Sequence, residues 1–425
     1  MLGFLQTRTN TGKPNTTDAK KTSWVPLFLA IFIALVVDGM DLQLLNLCLP
    51  VLSTDFGIGQ FEAGALSSIT LIGMALGGLL AGVLADRIGR VKVTIASLAT
   101  FSLFTVLLGF TQNYITFAIV RFLSGFGIAA LFAIGTLLVA EYVPTEKRGI
   151  VMGTLQAGWS IGYIVAALLS AAILEDYGWR PLFIISVIPA VVSFMVLRKT
   201  KEPSSFASYK NNEERAKGQE YRRIWRNKPI RMVFLVWALA NTALQFGYYG
   251  ANTWLPSYLR TDLGMDLKSM SLYVAGTYTA MVAGKVLAGF LADRFGRKSI
   301  WLLGGLLTAV AIPLIVIFVN NANVAPLMIV FGFLYAIPYA LLAAFMSESF
   351  PTDIRGTAVS SLSSVGKIGS ISAPMVIGYL ATTQSIGFGI GILGIAYAIC
   401  AIIPFLFLKE KAYDPSSSLS SKAPI

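Results

Sequence analysis

The chain has 425 residues, of which 56% are hydrophobic and 13% charged, against roughly 25% charged in an ordinary soluble protein. So few charges cannot cover a water-exposed surface, which excludes a soluble fold and leaves lipid as the solvent for most of the exterior. The net charge of +12 does not indicate nucleic acid, because the basic residues form short clusters between apolar stretches rather than a patch with interleaved aromatics. Histidine is absent. That removes histidine metal sites, Ser-His-Asp triads and histidine proton relays, and leaves carboxylates as the only carriers for a transported proton. The two cysteines, Cys48 and Cys400, are isolated in apolar runs and offer neither a disulfide framework nor a metal spacing. No metal or organic cofactor is expected.

Residues 1–23 are polar and mildly basic and read as a cytoplasmic tail, since the apolar run that follows is too long for a cleaved signal peptide. A bilayer core of roughly 30 Å needs about twenty apolar helical residues. Twelve such segments follow, over approximately 25–52, 60–85, 92–111, 114–140, 147–174, 179–198, 230–259, 268–292, 298–319, 323–347, 355–381 and 386–408. The stretch Ser299–Ser347 carries no charge and is long enough for two helices joined at Asn320-Asn321-Ala322-Asn323. The stretch Ile368–Leu408 breaks near Thr382-Thr383-Gln384. The one long polar segment divides the chain into a bundle over 24–198, a cytoplasmic linker over 199–229, a second bundle over 230–408 and a tail over 409–425.

Lys and Arg cluster in alternate loops: Lys20/Lys21, Arg87/Arg90/Lys92, Lys147/Arg148, Arg198/Lys199/Lys201, Arg294/Arg297/Lys298, Arg355 and Lys409/Lys411. The other loops hold Asp55, Glu62, Glu175 and Asp176, with Arg180, Arg260 and Lys268 as their basic residues. Basic loops stay on the cytoplasmic side, so both termini are expected there, in a multi-pass protein of the inner (plasma) membrane.

An internal repeat defines the architecture. Gly82-Val83-Leu84-Ala85-Asp86-Arg87-Ile88-Gly89-Arg90 recurs as Gly289-Phe290-Leu291-Ala292-Asp293-Arg294-Phe295-Gly296-Arg297, an offset of 289 − 82 = 207. Glu141, Pro144, Arg148 and Gly149 recur at the same offset as Glu348, Pro351, Arg355 and Gly356. Two motifs sharing one offset mark duplicated halves. The expected fold is an all-α membrane protein of about twelve transmembrane helices in two pseudo-symmetric six-helix bundles.

These paired loops resemble the signature of the major facilitator superfamily, Gly-x-x-x-Asp-Arg-x-Gly-Arg, and the run from Arg121 through Gly125 and Gly127 to Ala129 resembles its helix 4 motif. The resemblance spans Trp24 to Lys411. Within the superfamily, Asp38-Gly39-Met40-Asp41 in helix 1, together with Gly247-Tyr248-Tyr249-Gly250 and Trp254-Leu255-Pro256 in helix 7, is similar to the aromatic acid:proton symporters, carriers of benzoate, hydroxybenzoate or muconate. The resemblance implies alternating access, a proton as coupling ion and a monomer. It also assigns cytoplasmic gate contacts to Asp86, Arg87, Arg90, Asp293, Arg294, Arg297, Glu141, Arg148, Glu348 and Arg355.

An ionisable residue inside a membrane is costly and marks a functional candidate. Five occur here: Asp38, Asp41, Arg121, Lys285 and Lys367. Asp38 and Asp41 share a helix face. Asp41 lies about 24 Å from the cytoplasmic end of helix 1, and Arg121 about 10 Å below the outer end of helix 4. The depths agree, so either acid can pair with Arg121, as a proton-coupling group or as a static lock between helices. Of the two, Asp41 is the better match to the acid that proton symporters of the superfamily place near an arginine.

Lys367 lies about 18 Å along helix 11, among Ser363, Ser364, Gly366 and Gly369. A midplane cation on such a small, polar face can anchor a substrate carboxylate. Lys285 lies about 12 Å from Asp293 and can serve likewise or snorkel to the cytoplasm. If the substrate is a dicarboxylate, Arg121 or Lys285 supplies the second cation. Tyr248 and Asn252 on helix 7, Gln156 and Trp159 on helix 5, and Tyr335 on helix 10 complete the candidate lining. Bases outnumber acids in the bundle, which favours import of a small organic anion in symport with protons. The alternative is a proton-coupled exporter, but Gly158-Trp-Ser-Ile-Gly162 lacks the Gly-Pro element of drug exporters. No catalytic constellation is present.

Overall fold

A computed structural model describes residues 24–200, 202, 221–320 and 322–410, apart from the side chains of Asp86, Ala130, Thr145, Glu146, Arg148 and Gly149. Residues 1–23, most of the linker and 411–425 lie outside the described residues, as do the side chains of the gate candidates Asp86 and Arg148. The elements are α1 (Trp24–Phe56), α2 (Gln60–Ile88), α3 (Arg90–Leu108), α4 (Tyr114–Tyr142), α5 (Thr145–Tyr177) and α6 (Arg180–Leu197), then α7 (Lys228–Asp262), α8 (Leu267–Phe295), α9 (Arg297–Phe318), α10 (Val324–Glu348), α11 (Thr352–Thr383) and α12 (Ile386–Phe407). A short helix over 221–226 precedes α7. Among the described residues there is no strand.

Eleven of these helices are long and apolar enough to cross a bilayer. The twelfth, α11, has the length, 32 residues, but its serines and Lys367 make it too polar to pass on composition. It is wedged between α2 and α7, which buries Leu362, Gly366, Gly369 and Ser370 and leaves Ser360, Ser363 and Ser364 exposed. The outer faces of the other helices carry the lipid contact, with Leu103, Ile115, Val286, Leu303, Ile317 and Leu406 exposed.

Several helices run past their apolar cores into charged turns. α2 continues through Arg87 to Ile88, and α11 starts at Thr352 rather than near 355. Charged side chains at these depths reach the interface while their backbone stays helical, so hydropathy ends a helix too early. α6 and α10 each break once, at Val187 and Ala336, directly before Ile188-Pro189 and Ile337-Pro338. A proline lacks the N–H and crowds the carbonyl four residues back, so it restarts a helix instead of continuing it. Asn113, Asn227, Asp266 and Ser385 cap α4, α7, α8 and α12 by accepting from the backbone N–H three residues on.

The two halves fold alike. α2 and α8 begin and end 207 residues apart, and so do the starts of α3 and α9 and of α5 and α11. Gly89 and Gly296 turn the chain between α2 and α3 and between α8 and α9 at φ 112 and 89, a region open to glycine. In each half an arginine of this turn pairs with a glutamate near the end of the fourth helix, Arg90 with Glu141 and Arg297 with Glu348. Asp55 accepts from the Trp179 indole N–H at 2.8 Å, and its counterpart Asp262 accepts from the Gly387 backbone N–H at the same distance. Leu49-Pro50 in α1 matches Leu255-Pro256 in α7 at an offset of 206. The extra residue is absorbed in a π turn over Tyr258–Asp262.

The halves meet along α1–α7, α2–α11 and α5–α8. The last two pairs exchange under the repeat, so the interface has the symmetry of the fold. At the end opposite the paired loops this interface is closed. The Ser68 hydroxyl donates to the Ile371 carbonyl at 2.6 Å. A Cβ on Gly64 would meet the Pro374 carbonyl oxygen at 2.3 Å, and one on Gly378 the Gln60 carbonyl oxygen at 2.6 Å. The Tyr163 and Tyr278 rings touch across α5–α8 with centroids 5.0 Å apart. At the loop-motif end, Gly82, Gly153, Gly289 and Gly356 on the same four helices have nothing within 4 Å of an added Cβ.

Candidate substrate and proton site

Gly39 and Gly162 let α1 and α5 approach at backbone distance: a Cβ on Gly162 would lie 2.2 Å from the Val36 carbonyl oxygen, and one on Gly39 2.0 Å from the Trp159 ring. This packing dries the middle of α1, where Asp38 and Asp41 are both 0% exposed. The two acids have different surroundings. Asp41 Oδ2 takes a hydrogen bond from Arg121 Nη1 at 2.7 Å, its backbone carbonyl one from Arg121 Nη2 at 3.1 Å, and Oδ1 one from the Thr105 hydroxyl at 3.2 Å. The guanidinium also lies 5.4 Å from the Phe183 ring centroid. Both oxygens of Asp38 lack a hydrogen bond among the described residues. The arginine therefore joins the second of the two acids and leaves the first alone.

Both lysines sit at crossings between the halves and have no carboxylate partner among the described residues. Lys285 Nζ on α8 donates to the Ser160 hydroxyl on α5 at 3.1 Å. It lies 5.8 and 5.7 Å from the centroids of Tyr248 and Tyr339. It therefore points into the protein rather than snorkelling to the loop-motif end. Lys367 on α11 makes no hydrogen bond among the described residues, and its Nζ lies 3.7 Å from where Gly78 of α2 would carry a Cβ. Both lysines are half-buried.

The aromatic candidates lie in the second half beside Lys285. The Tyr248 ring stacks on Tyr339 at 4.1 Å and on Tyr335 at 5.4 Å. Tyr335 donates to Asn252 Oδ1 at 3.1 Å, and Asn252 Nδ2 donates to the Tyr248 carbonyl at 2.7 Å. The Tyr248 hydroxyl donates to Met281 Sδ at 3.6 Å, so it is not free for a ligand. Trp159 packs against Phe132 with its indole N–H unpaired among the described residues, and Gln156 is exposed one turn closer to the loop-motif end.

The gate candidates pair within their own halves. Besides Arg90–Glu141 and Arg297–Glu348, Arg297 lies 3.8 Å from Asp293. Arg355 donates to the Phe350 carbonyl at 3.2 Å, Arg294 lies over Phe295, and Arg87 is exposed. None of these contacts crosses from one half to the other. Glu202, which sequence reasoning passed over, accepts from the backbone N–H groups of Arg90, Val91 and Lys92 at 3.0–3.1 Å, capping α3 from beyond α6. Thr105, Ser160, Gly78 and Tyr339 were also absent from the candidate set. The repeat offset alone points to Ser160 and Gly78, since 367 − 207 = 160 and 285 − 207 = 78.

Duplicated six-helix halves, matching turn motifs and buried charges at the interface between the halves define a transporter rather than an enzyme. The family model of the Major Facilitator Superfamily matches residues 31–276 and 239–424, and the chain belongs to that superfamily. It is 46% identical over 400 residues to the cis,cis-muconate transport protein of Acinetobacter baylyi, covering 93% of this chain and 97% of that one. A probable 4-methylmuconolactone transporter of Cupriavidus pinatubonensis is 31% identical, with 88% and 86% covered. The crystal structure of a D-xylose-proton symporter superposes with a TM-score of 0.78 at 20% identity, covering 92% of this chain and 99% of that one.

Proposed function

We propose that the protein imports a small organic carboxylate in symport with protons across the inner (plasma) membrane, as a monomer working by alternating access. The observation that carries this reading is the contrast on α1. Asp41 is fixed by Arg121 and Thr105, while Asp38 is fully buried without a partner. A carboxylate that is 0% exposed and without a hydrogen-bond partner among the described residues is costly to ionise, which suits Asp38 to carrying the transported proton. The similarity to the muconate and methylmuconolactone transporters supports an organic acid as cargo. The excess of cations in the bundle supports an anion.

The basic clusters assign the loop-motif end, both termini and the linker over 199–229 to the cytoplasm. The described state, closed at the other end and open beside Gly82, Gly153, Gly289 and Gly356, is then inward-facing. Release follows when water enters from the open end, removes the substrate from the lysines and reaches Asp38. The Arg90–Glu141 and Arg297–Glu348 pairs keep each half rigid while the halves rock, and the remaining charges of the paired loops engage across the interface once that end closes.

Proteoliposome flux of radiolabelled cis,cis-muconate or benzoate tests the reading. Wild-type protein should accumulate acid uphill under an inward proton gradient. Asp38→Asn and Asp41→Asn should each abolish accumulation, and Asp38→Asn should retain counterflow exchange, which needs no net proton movement. Gradient-driven accumulation at the wild-type rate by both variants would overturn proton coupling through α1. Uphill efflux under the same gradient would overturn import.

A further inference from the structure

The two lysines occupy equivalent places. Under the repeat, Lys285 on α8 corresponds to Gly78 on α2, and Lys367 on α11 corresponds to Ser160 on α5. These are the residues the lysines face: Lys285 donates to Ser160 at 3.1 Å, and Lys367 Nζ lies 3.7 Å from a Cβ placed on Gly78. The α5–α8 crossing and the α2–α11 crossing are thus one arrangement used twice. Each has a single lysine, once on the incoming helix and once on the outgoing one, opposite a residue small enough to leave room for its stem.

We propose that the site is built for a dicarboxylate, with one carboxylate on Lys285 at the α5–α8 crossing and the other on Lys367 at the α2–α11 crossing. This inference rests on the carboxylate-transport reading above. Arg121 is not the second anchor, because Asp41 already takes two of its N–H groups and the pair is 0% exposed on both sides. The charge count agrees. Arg121, Lys285 and Lys367 contribute +3, Asp41 contributes −1, and Asp38 in its neutral form contributes nothing, so the site carries +2. A dianion neutralises it and a monoanion leaves an uncompensated buried cation. Neighbouring atoms do not crowd these helices one turn toward the loop-motif end. Gly289 lies one turn from Lys285 on α8 and Gly82 one turn from Gly78 on α2, and both look into open space. The Tyr248 and Tyr339 rings beside Lys285 give an apolar wall for the carbon chain between the charges.

Binding to the purified full chain, measured by calorimetry, tests the proposal with cis,cis-muconate and adipate as rigid and flexible dianions, their monomethyl esters, and benzoate. The wild type should bind at least one dianion about 30-fold or more tighter than its ester. Lys285→Met and Lys367→Met should each lower that dianion to about the affinity of its ester. Either single variant should change ester binding less than about threefold, because a monoanion can use whichever lysine remains, and the double variant should lose both ligands. A wild type that binds neither dianion better than its ester overturns the proposal, and so does a folded single variant that keeps dianion affinity within about threefold. The ester comparison needs only wild-type protein, so it decides even if a variant fails to fold. Benzoate and the esters bound and transported, with dianions no better, would sink the dicarboxylate inference and leave carboxylate transport standing. If none of the five acids is bound or transported, the carboxylate reading falls as well.

Discussion

The two halves share a fold and divide their charges differently. In the first half Arg121 closes on Asp41, both 0% exposed and joined at 2.7 Å, beside the unpaired Asp38. In the second half the cations have no carboxylate partner among the described residues, with Lys285 on a serine hydroxyl and Lys367 beside Gly78. A buried ion pair is structural for as long as it lasts, because either partner alone would be an uncompensated charge. A half-buried lysine without a carboxylate partner gains no ion pair in the resting fold, which makes it a candidate for binding an anion. On the proposed reading, the first half couples to protons and the second half holds the anion.

The largest effect expected from breaking this contrast comes at Arg121. Arg121→Met leaves Asp41 buried and unpaired and should cost about 3–5 kcal/mol, read as a lowered unfolding transition in detergent. Adding Asp41→Asn to the same chain should return part of the loss. If Arg121→Met alone costs less than about 1 kcal/mol, the pair is not what holds α1 to α4.

A second contrast lies between the two ends of α2. Gly64 faces the Pro374 carbonyl at the closed end, and Gly82 faces open space at the other. Gly64→Ala overpacks the closed state by about 1–3 kcal/mol, which should shift the population about tenfold toward the opposite access state. Gly82→Ala should leave the described state unchanged. Labelling of cysteines introduced near each end, against the buried native Cys48 and Cys400, measures both. Equal labelling patterns for the two variants would contradict the assignment of open and closed ends.

The smallest effect is expected at the lysines. Lys285→Met and Lys367→Met should leave the unfolding transition unchanged or raise stability by about 1 kcal/mol, since each removes a desolvated charge without a carboxylate partner among the described residues. A loss as large as that of Arg121→Met would make the lysines structural and erase the division between the halves.

Much of this was legible in the sequence because lipid imposes a simple rule: every backbone polar group must be satisfied within its own helix, so each crossing is written as an apolar run of fixed length. The twelve helices, the duplicated halves at an offset of 207 and the five intramembrane charges follow from that rule and from the repeat. The helix ends did not, because charged turns at the interface remain helical, and the breaks at Val187 and Ala336 depend on the prolines that follow. The partner of Arg121 also had to come from tertiary structure. Asp38 and Asp41 are three residues apart, about 60° around the helix, close enough to share a face and far enough to meet different neighbours. The rotation of α1, set by Gly39 and Gly162 against α5, turns Asp41 to Arg121 and Thr105 and leaves Asp38 alone. The lysine sites followed the same course: the offset relating Lys285 to Gly78 and Lys367 to Ser160 is arithmetic on the sequence. Only packing decides that α8 crosses α5 and that α11 crosses α2, because helices distant in the chain are brought together by the shapes of their faces and not by any local signal.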